Sequence, residues 1–364
     1  MLWVSALVGF AVAAAAPAVA DPAVPAAPVT STPSALLPSW QFTPTATTNT
    51  LIVVDVVDQG VVWAAGGGFL GATNDGTVVR TVDGGQTWQN VTPPDGVSRS
   101  FRDVEAFDQD RALVLAAGEG EASRIYRTAD GGATWQLVFK NPEPKASYSC
   151  MAFFDDRRGL AVSDPVDGKF PILATVNGGR TWHMAPPSGL PVALLREFTR
   201  ATGTCLVAVG ADDAWFGTNP DMEPNPNARV FHTQDAGRTW TVATTPIPGG
   251  PAGILSLSFR DRLDGLAIGG DPSPPNEGVV ARTSDGGSTW SLVGAPAGLR
   301  NSVAWIPDLN ETAVVVGRTG SDLSTDGGHT WTLFDRTLLL GVNCVPHVGC
   351  WAVGEHGLAA KLRT

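Results

Sequence analysis

One eight-residue pattern, Ser/Thr-x-Asp/Asn-x-Gly-x-Thr-Trp, occurs six times in this chain of 364 residues. The six copies end at tryptophans that lie 41 to 58 residues apart, namely Trp88, Trp135, Trp182, Trp240, Trp290 and Trp331. A repeat of this length that contains a turn motif is typical of a β-propeller, in which each repeat forms one four-stranded blade and the blades close into a ring. The octapeptide therefore predicts an all-β fold.

A second recurring position raises the number of blades to seven. A large apolar residue, followed closely by Gly or Ser, occurs once per repeat, at Trp63, Leu115, Leu160, Trp215, Leu266, Val314 and Trp351. The last repeat has no octapeptide, because the sequence stops at Arg363-Thr364, where one would begin. Ser39-Trp40-Gln41 resembles the end of the octapeptides, so we expect it to supply the missing outer strand and to close the ring. The prediction is a seven-bladed β-propeller over residues 39–364.

The octapeptide itself has a structural explanation. Its Asp accepts hydrogen bonds from turn N–H groups, its Gly residues supply positive φ, and its Trp packs between blades. We therefore interpret Asp83, Asp130 and Asp285 as turn residues and not as catalysts.

The N-terminal segment predicts export. Residues 1–20 have no charged side chain and end in Ala18-Val19-Ala20, the small-x-small pattern of a signal-peptidase site. Residues 21–38 are rich in Pro, Ala, Ser and Thr and are typical of a flexible linker. We expect a signal peptide, a linker and a periplasmic or secreted propeller. No Lys or Arg precedes the apolar run, so retention of this segment as an uncleaved membrane anchor is the alternative.

Net charge and the lack of known binding motifs exclude several classes of function. A formal charge of −11 argues against nucleic-acid binding. The glycines at Gly66-Gly67-Gly68 lie in a β context with no following helix, so they do not form a dinucleotide-binding fingerprint. The five histidines show no metal-ligand spacing. We therefore expect no cofactor and no metal site.

The four cysteines suit an oxidising compartment. Cys344 and Cys350 flank a short turn, which favours a disulfide across a hairpin. Cys150 and Cys205 occupy corresponding inner-strand positions of adjacent blades. They could be thiols or a bridge between blades, and we favour buried thiols.

The candidate partner- or ligand-binding face is the one that carries the turns between second and third strands, because four consecutive blades have long polar turns there. Arg102 and Arg260 share a Ser-Phe-Arg-Asp setting, and we expect both at the channel mouth, where guanidinium groups would bind carboxylates. The alternative is that such charges tie neighbouring blades together. The candidate residues are Arg102, Arg260, Arg196, Arg300, Glu119, Glu121, Arg124, Asp164, Asp167 and Asp271.

Four segments carry a family resemblance beyond the octapeptides. They are Phe101-Arg-Asp-Val-Glu-Ala-Phe107, Gly120-Glu-Ala-Ser-Arg-Ile-Tyr126, Ser163-Asp-Pro-Val-Asp-Gly-Lys169 and Ala228-Arg-Val-Phe231. With the octapeptides as Asp boxes, residues 39–364 resemble the BNR/Asp-box propellers, and among them the photosystem II stability/assembly factor-like family, found also in non-photosynthetic bacteria. The resemblance implies an exported, non-catalytic scaffold that binds a partner protein of the envelope or of a membrane complex.

A sialidase-like glycoside hydrolase or a glycan-binding propeller is the alternative function. Sialidases resemble this chain in their Asp boxes, but they need an arginine triad and a Tyr nucleophile paired with a Glu. Their Phe-Arg-Ile-Pro segment is absent from this sequence. The chain has two tyrosines. Tyr126 immediately precedes an octapeptide and is expected to point to the wrong face, and Tyr148 has no Glu in a matching register. We therefore name no catalytic residue.

Overall fold

The computed structural model describes residues 38–68, 75–185, 189–199, 204–221, 226–250, 253–271 and 276–363. The predicted signal peptide, all of the predicted linker except Pro38, and Thr364 lie outside these ranges. Within them, no helix has the length and hydropathy to cross a membrane.

The described chain is almost entirely β-structure. Its strands are β1 (Ser39–Pro44), β2 (Leu51–Val56), β3 (Val62–Gly66), β4 (Thr77–Thr81), β5 (Gln89–Asn90), β6 (Ser100–Ala106), β7 (Ala112–Ala117), β8 (Arg124–Thr128), β9 (Gln136–Lys140), β10 (Tyr148–Phe153), β11 (Gly159–Ser163), β12 (Ile172–Thr175), β13 (His183–Met184), β14 (Glu197–Phe198), β15 (Leu206–Val209), β16 (Asp213–Pro220), β17 (Asn227–Thr233), β18 (Thr241–Pro248), β19 (Ile254–Phe259), β20 (Gly265–Gly270), β21 (Gly278–Thr283), β22 (Ser291–Leu292), β23 (Ser302–Trp305), β24 (Ala313–Gly317), β25 (Gly320–Ser324), β26 (Thr332–Asp335), β27 (Leu339–Val345), β28 (Gly349–Gly354) and β29 (Leu358–Arg363).

These strands form seven antiparallel sheets, which confirms the predicted seven-bladed propeller. Blades 1, 2, 3, 5 and 6 are four-stranded meanders that run from an inner to an outer strand: β2–β5, β6–β9, β10–β13, β19–β22 and β23–β26. The inner strand of blade 4 is in two pieces, β14 and β15, which both pair with β16. Blade 7 has the strand order β1-β29-β28-β27.

The N-terminal strand closes the ring as the sequence predicts. β1 pairs antiparallel with β29 from Ser39 opposite Arg363 to Pro44 opposite Leu358. The side chain of Trp40 is buried, and its Nε1 donates a 2.9 Å hydrogen bond to Ser321 Oγ of blade 6. One strand therefore completes blade 7 and attaches it to its neighbour.

The two ends of each blade differ. The octapeptides form the turns between third and fourth strands, and the turns between first and second strands lie at the same end of the blade; we call this side the octapeptide face. The turns between second and third strands, and the connections from one blade to the next, lie on the opposite side, which we call the loop face. This division follows from the antiparallel order of the strands.

Each octapeptide turn is held by its own polar side chains. In the first copy, Asp83 Oδ1 accepts from Thr87 N at 2.9 Å, and Asp83 Oδ2 accepts from Thr87 Oγ1 at 2.6 Å. Thr81 Oγ1 accepts from Gly85 N at 3.0 Å. The hydrogen bonds from Thr87 lower the pKa of Asp83 to about 2. The same contacts recur in the four other copies that contain Asp, which supports the interpretation of these acids as turn residues. In the third copy Asn177 Oδ1 accepts from Thr181 N at 3.0 Å, and Asn177 Nδ2 donates to Thr181 Oγ1 at 2.9 Å.

The second octapeptide glycine explains the second recurring sequence position. A Cβ on Gly287 of blade 5 would lie 3.2 Å from the Trp215 ring of blade 4, and a Cβ on Gly237 of blade 4 would lie 3.0 Å from Leu160 of blade 3. Both glycines also have positive φ. Trp351 and Leu266 make the same contact with Gly85 and Gly328 of the next blade. In blade 2 the contact to Gly179 comes from Leu113 and not from Leu115, and Gly132 is met by Val91 and not by Trp63, so the sequence pattern is two residues out of register in blade 2.

The inner strands are joined by side chains that accept hydrogen bonds from main-chain N–H groups of the next blade. For example, Ser256 Oγ of blade 5 accepts from Val303 N of blade 6 at 3.2 Å. Asn343 Oδ1 of blade 7 accepts from Val56 N of blade 1 at 3.1 Å. The accepting side chains come from five of the seven blades and are Asp55, Asp103, Glu105, Ser256, Ser258, Ser302 and Asn343.

A disulfide joins blades 3 and 4, where blade 3 has no such acceptor. Cys150 and Ala152 occupy the positions on β10 that Asp103 and Glu105 occupy on β6. Cys150 is bonded to Cys205, which directly precedes β15, with 6.0 Å between the two Cα atoms. Our preference for free thiols at these positions was wrong, because the two cysteines face each other across the junction. Cys344 and Cys350 lie opposite each other on β27 and β28 and are also bonded.

We predict that Trp40→Ala lowers the free energy of unfolding by about 3–5 kcal/mol, because it empties a buried indole site and removes a contact between blades 6 and 7. Phe42→Ala is the matched control, since Phe42 lies on the same strand but is 39% exposed. Equilibrium urea unfolding measures both. Equal stability of the Trp40 variant and the parent would contradict closure of the ring by β1.

We predict that the two disulfides differ in their effect on stability. The Cys150–Cys205 bond spans 55 residues and the Cys344–Cys350 bond spans 6. By loop-closure entropy, Cys150→Ser with Cys205→Ser costs about 4 kcal/mol, whereas Cys344→Ser with Cys350→Ser costs about 2 kcal/mol. Urea unfolding of the two double variants tests this order, and a larger loss in the hairpin variant would refute it.

Candidate functional site

Three acidic side chains line one sector of the central channel. Asp55 comes from blade 1, and Asp103 and Glu105 come from blade 2. Together with Ser302 and Asn343 they border a cavity of about 50 Å³. At the corresponding positions, blades 5 to 7 have Ser or Asn, which do not ionise. In blades 1 and 2, by contrast, the side chains that join neighbouring blades are ionisable.

Main-chain donors hold these carboxyl groups in place. Asp55 Oδ2 accepts from Ala106 N at 2.7 Å, and Asp103 Oδ2 accepts from Met151 N at 2.6 Å. Glu105 accepts from Phe153 N. Each acid therefore points towards the next blade, and its accepting oxygen is already occupied.

Burial makes these groups weak acids. Loss of hydration raises the pKa of Asp55 to about 7. Burial and the nearby charge of Asp55 raise the pKa of Asp103 to about 8. Burial is also the main reason that the pKa of Glu105 lies well above its ordinary value, with further contributions from Asp55 and Asp103. The sequence analysis did not select these residues, although the segment Phe101–Phe107 contains two of them.

On the loop face, the candidates of blade 2 form a small charged cluster. Arg124 donates to Asp95 Oδ2 at 2.9 Å, and the Tyr126 hydroxyl donates to the same oxygen at 2.8 Å. Glu121 pairs with Lys140 at 2.6 Å. Glu119 is exposed. Partners within the chain thus take up the charges of Arg124 and Glu121, whereas Glu119 faces solvent.

Blade 3 contributes one structural acid and one exposed acid. Asp164 Oδ1 accepts from Thr199 N at 2.7 Å and therefore joins blade 3 to blade 4. Burial is the main reason that the pKa of Asp164 is raised, and the charge of Glu119 contributes, which places the two acids near each other. Asp167 is exposed and lies 3.4 Å from Lys145.

The remaining loop-face candidates do not form one cluster with these. Arg102 is partly buried and donates to the main-chain oxygen of Gly68 at 3.1 Å, and burial lowers its pKa. Arg196 and Asp271 are exposed on other loops of the face. The structure therefore places these three residues on the predicted side of the ring, on β6, in the connection between blades 3 and 4, and in the turn after β20.

Arg260 lies on the other face, so its predicted position was wrong. Ser100–Asp103 opens β6, whereas Ser258–Asp261 ends β19 and enters the turn that follows. Arg260 lies 2.7 Å from Asp264 and 2.5 Å from Glu311 of blade 6, with its guanidinium over Trp305. The alternative that we considered, a charge that ties neighbouring blades, describes this arginine.

Arg300 also differs from its predicted role. It precedes the inner strand of blade 6 as expected, but only 1% of it is exposed. Its Nε donates to Asp322 Oδ2 at 2.6 Å, and it also contacts Thr319 Oγ1. A third-strand carboxylate therefore draws this guanidinium into the blade, where a partner could not reach it.

Neither tyrosine is placed as a nucleophile. The Tyr148 side chain is fully buried, and burial raises its pKa above the ordinary value. Tyr126 donates its hydroxyl to Asp95 instead of lying beside a Glu. Within the described ranges, no group of three or more His, Cys, Asp or Glu side chains is arranged to hold a metal ion.

We predict that the stability of the chain falls as the pH rises from about 5 to about 9. The raised pKa values of Asp55 and Asp103 mean that the folded chain binds protons more tightly than the unfolded chain, whose carboxyl groups titrate near pH 4. That stabilisation is complete below about pH 4 and is lost through about pH 8.

Asp103→Asn keeps an acceptor for Met151 N but cannot ionise. We expect its melting temperature to fall between pH 5 and pH 9 by at least about 3 °C less than that of the parent. Comparing the two proteins cancels the opposite contribution of His232, whose pKa burial lowers. Parallel curves for variant and parent would contradict the prediction.

The fold has counterparts among solved structures. The structure titled "YCF48 bound to D1 peptide" superposes with a TM-score of 0.59 at 16% identity, over 89% of this chain and 97% of that one. YCF48 from Cyanidioschyzon merolae gives 0.59 at 18% identity, over 88% and 98%. A GH74 xyloglucanase from Xanthomonas campestris gives 0.58 at 15% identity, over 84% of this chain and 50% of that one.

No protein-family model and no curated protein matches the sequence. At these identities the likenesses establish the fold and nothing further. This chain has the propeller fold of both YCF48 and one half of the xyloglucanase.

Proposed function

We propose that this protein is a non-catalytic propeller scaffold that binds a partner protein on its loop face. The observation that carries the proposal is the hydrogen bonding of the three acids in the channel. Asp55, Asp103 and Glu105 each accept a main-chain N–H from the next blade, so they join the ring together instead of facing a substrate. A rigid ring that presents several loops on one side is suited to recognition.

The distribution of charges supports the loop face over the octapeptide face. On the octapeptide face, Arg260 and Arg282 share Asp264 and Glu311 in one network between blades 5 and 6. On the loop face, Glu119 and Arg196 are exposed. We infer that the contacts to a partner come from the second group.

We also propose that the chain is exported. The uncharged N-terminal run and its small-x-small end support export, and so do the two disulfides, because such bonds persist in oxidising compartments. A partner in the cell envelope or in a membrane complex follows from that location and from the family resemblance. The likeness to YCF48, which is solved with a D1 peptide, is consistent with a protein partner.

A glycoside hydrolase is the second candidate, and one observation favours it. Glycosidases need a carboxylic acid that stays protonated near neutral pH, and the pKa values of Asp55 and Asp103 are about 7 and about 8. The likeness to a xyloglucanase supplies a fold precedent. Against this candidate, both acids are engaged at the junctions between blades.

We predict that photo-cross-linking in the source cells will capture a partner from the loop face. Benzoylphenylalanine would replace Glu119 or Asp167 on that face, and Val176 or Leu263 on the octapeptide face as matched exposed controls. We expect discrete cross-linked species from the first pair only. Cross-links mainly from the second pair would contradict the proposed binding face.

We predict no turnover of fluorogenic glycosides, including sialosides and xyloglucan oligosaccharides, by the purified chain between pH 5 and pH 8. Asp103→Asn is the control for any trace activity, because it removes the weak acid with little change in shape. Turnover that disappears in this variant would replace the scaffold proposal with the hydrolase.

A further inference from the structure

The connection between blades 3 and 4 presents two aliphatic side chains to solvent. Leu195 is 70% exposed and Val192 is 66% exposed, the highest values among the large apolar side chains that the structure describes. Leu194, between them, is 37% exposed. Exposed aliphatic residues are ordinary when they are scattered, but a contiguous group on one face is typical of an interaction site. We call Val192–Arg196 the platform.

A buried ion pair holds the platform in place. Glu197 is fully buried and accepts from Arg229 Nε at 2.9 Å and from Leu194 N at 2.7 Å. Arg229 also donates to the main-chain oxygen of Val192 at 3.1 Å. Ala193 N donates to Gly168 O, in the turn between β11 and β12 of blade 3, at 2.9 Å. The blade therefore fixes the backbone that presents the aliphatic side chains, so a partner would not bear the entropy cost of ordering it.

An apolar cavity lies beside the platform. Its volume is about 230 Å³, and its walls include Phe170, Ile172 and Trp240. Leu190 lines the cavity. Val192, two residues later in the chain, packs beside Gly168: a Cβ atom added to that glycine would lie 3.7 Å from Val192 Cγ1. Lys169, which follows Gly168, also lines the cavity. The cavity lies between blades 3 and 4, and Leu190 and the Gly168–Lys169 segment connect it to the platform. A large apolar side chain could therefore enter the cavity while a neighbouring one contacts the aliphatic residues of the platform.

Two exposed cations lie on this surface, one at the cavity and one at the end of the platform. Lys169 and Arg196 are exposed, and no carboxylate of the described residues lies within ion-pair distance of either. Three acids lie nearby: Asp167 is paired with Lys145, Glu143 Oε1 accepts from Lys145 N at 3.2 Å, and Asp221 contacts Arg196 through a main-chain hydrogen bond of 3.1 Å. In a chain of net charge −11, two unpaired cations beside an apolar patch favour a partner that is locally acidic.

We propose that this surface is the docking site for an acidic peptide segment with large aliphatic or aromatic side chains. One such side chain would enter the cavity against Phe170 and Trp240, and a second would pack on Val192 and Leu195. Carboxylates of the segment would lie near Lys169 and Arg196. An apolar anchor surrounded by complementary charges is a common arrangement at protein interfaces. This inference rests on the proposed partner binding and assigns it to one part of the loop face.

Peptide arrays test the chemistry of the segment. Two pools of synthetic 12-residue peptides, one combining Leu and Phe with Glu and the other combining them with Lys, would be probed with the full chain. The best members would then be titrated by fluorescence anisotropy. We expect selective binding of the Glu pool, weakened by salt.

Substitutions test the location. We expect Val192→Ser with Leu195→Ser to raise the Kd at least about tenfold, and Lys169→Glu with Arg196→Glu to do the same. Val176→Ser with Leu263→Ser is the matched control, because these side chains are 62% and 57% exposed on the octapeptide face, and it should leave the Kd unchanged. Melting temperatures of the variants show whether the fold is intact.

Several outcomes would overturn the inference. They are equal binding of both pools, equal effects of the platform and control variants, and adsorption to phosphatidylglycerol vesicles without any peptide binding. Benzoylphenylalanine at Leu195 separates this inference from the wider proposal. Cross-links from Glu119 with none from Leu195, and no peptide binding, would refute the platform but keep the partner. No cross-link from any loop-face position would refute both.

Discussion

The hydrogen bonds between inner strands are the interaction on which the rest of this structure depends. Most main-chain N–H and C=O groups of a propeller blade form hydrogen bonds within that blade. The innermost strand, however, has N–H groups that face the channel and the next blade and need other acceptors. Here inner-strand side chains of five blades accept those N–H groups at corresponding positions, and a disulfide joins blades 3 and 4, where blade 3 has Cys and Ala at these positions. The polar channel wall, the placement of the acids and the site of the disulfide all follow from this requirement.

This constraint also explains why chemistry and structure are hard to separate in the channel. Ser and Asn meet the requirement in blades 5 to 7, so Asp and Glu are not needed for the hydrogen bond alone. An acid at the same position adds a proton equilibrium to a structural contact. The pKa values of Asp55 and Asp103 are raised because the burial that orders each carboxyl group also disfavours its charged form.

The sequence predicts the repeat-level structure well and the site-level structure poorly, for physical reasons. The octapeptide and the second-strand apolar residue are visible because one contact, made by Leu160, Trp215, Leu266 and Trp351, constrains both. Arg260 could not be placed from its tetrapeptide, since identical residues can open one strand or end another. The burial of Arg300 depends on Asp322, a partner on a different strand. The Cys150–Cys205 bond depends on the relative register of two blades, which no local pattern specifies.

The pairing of β1 with β29 has a consequence for how the chain folds. The partners Ser39 and Arg363 lie at opposite ends of the propeller sequence, so this sheet has the largest contact order of the seven. During synthesis β1 remains unpaired until β29 has left the ribosome. Blades 1 to 6 can form earlier from local meanders, whereas closure of the ring is the final step. A chain interrupted before Leu358 would keep an open edge and an unburied Trp40, which are features that proteases and chaperones recognise, so this topology exposes any chain that lacks β29.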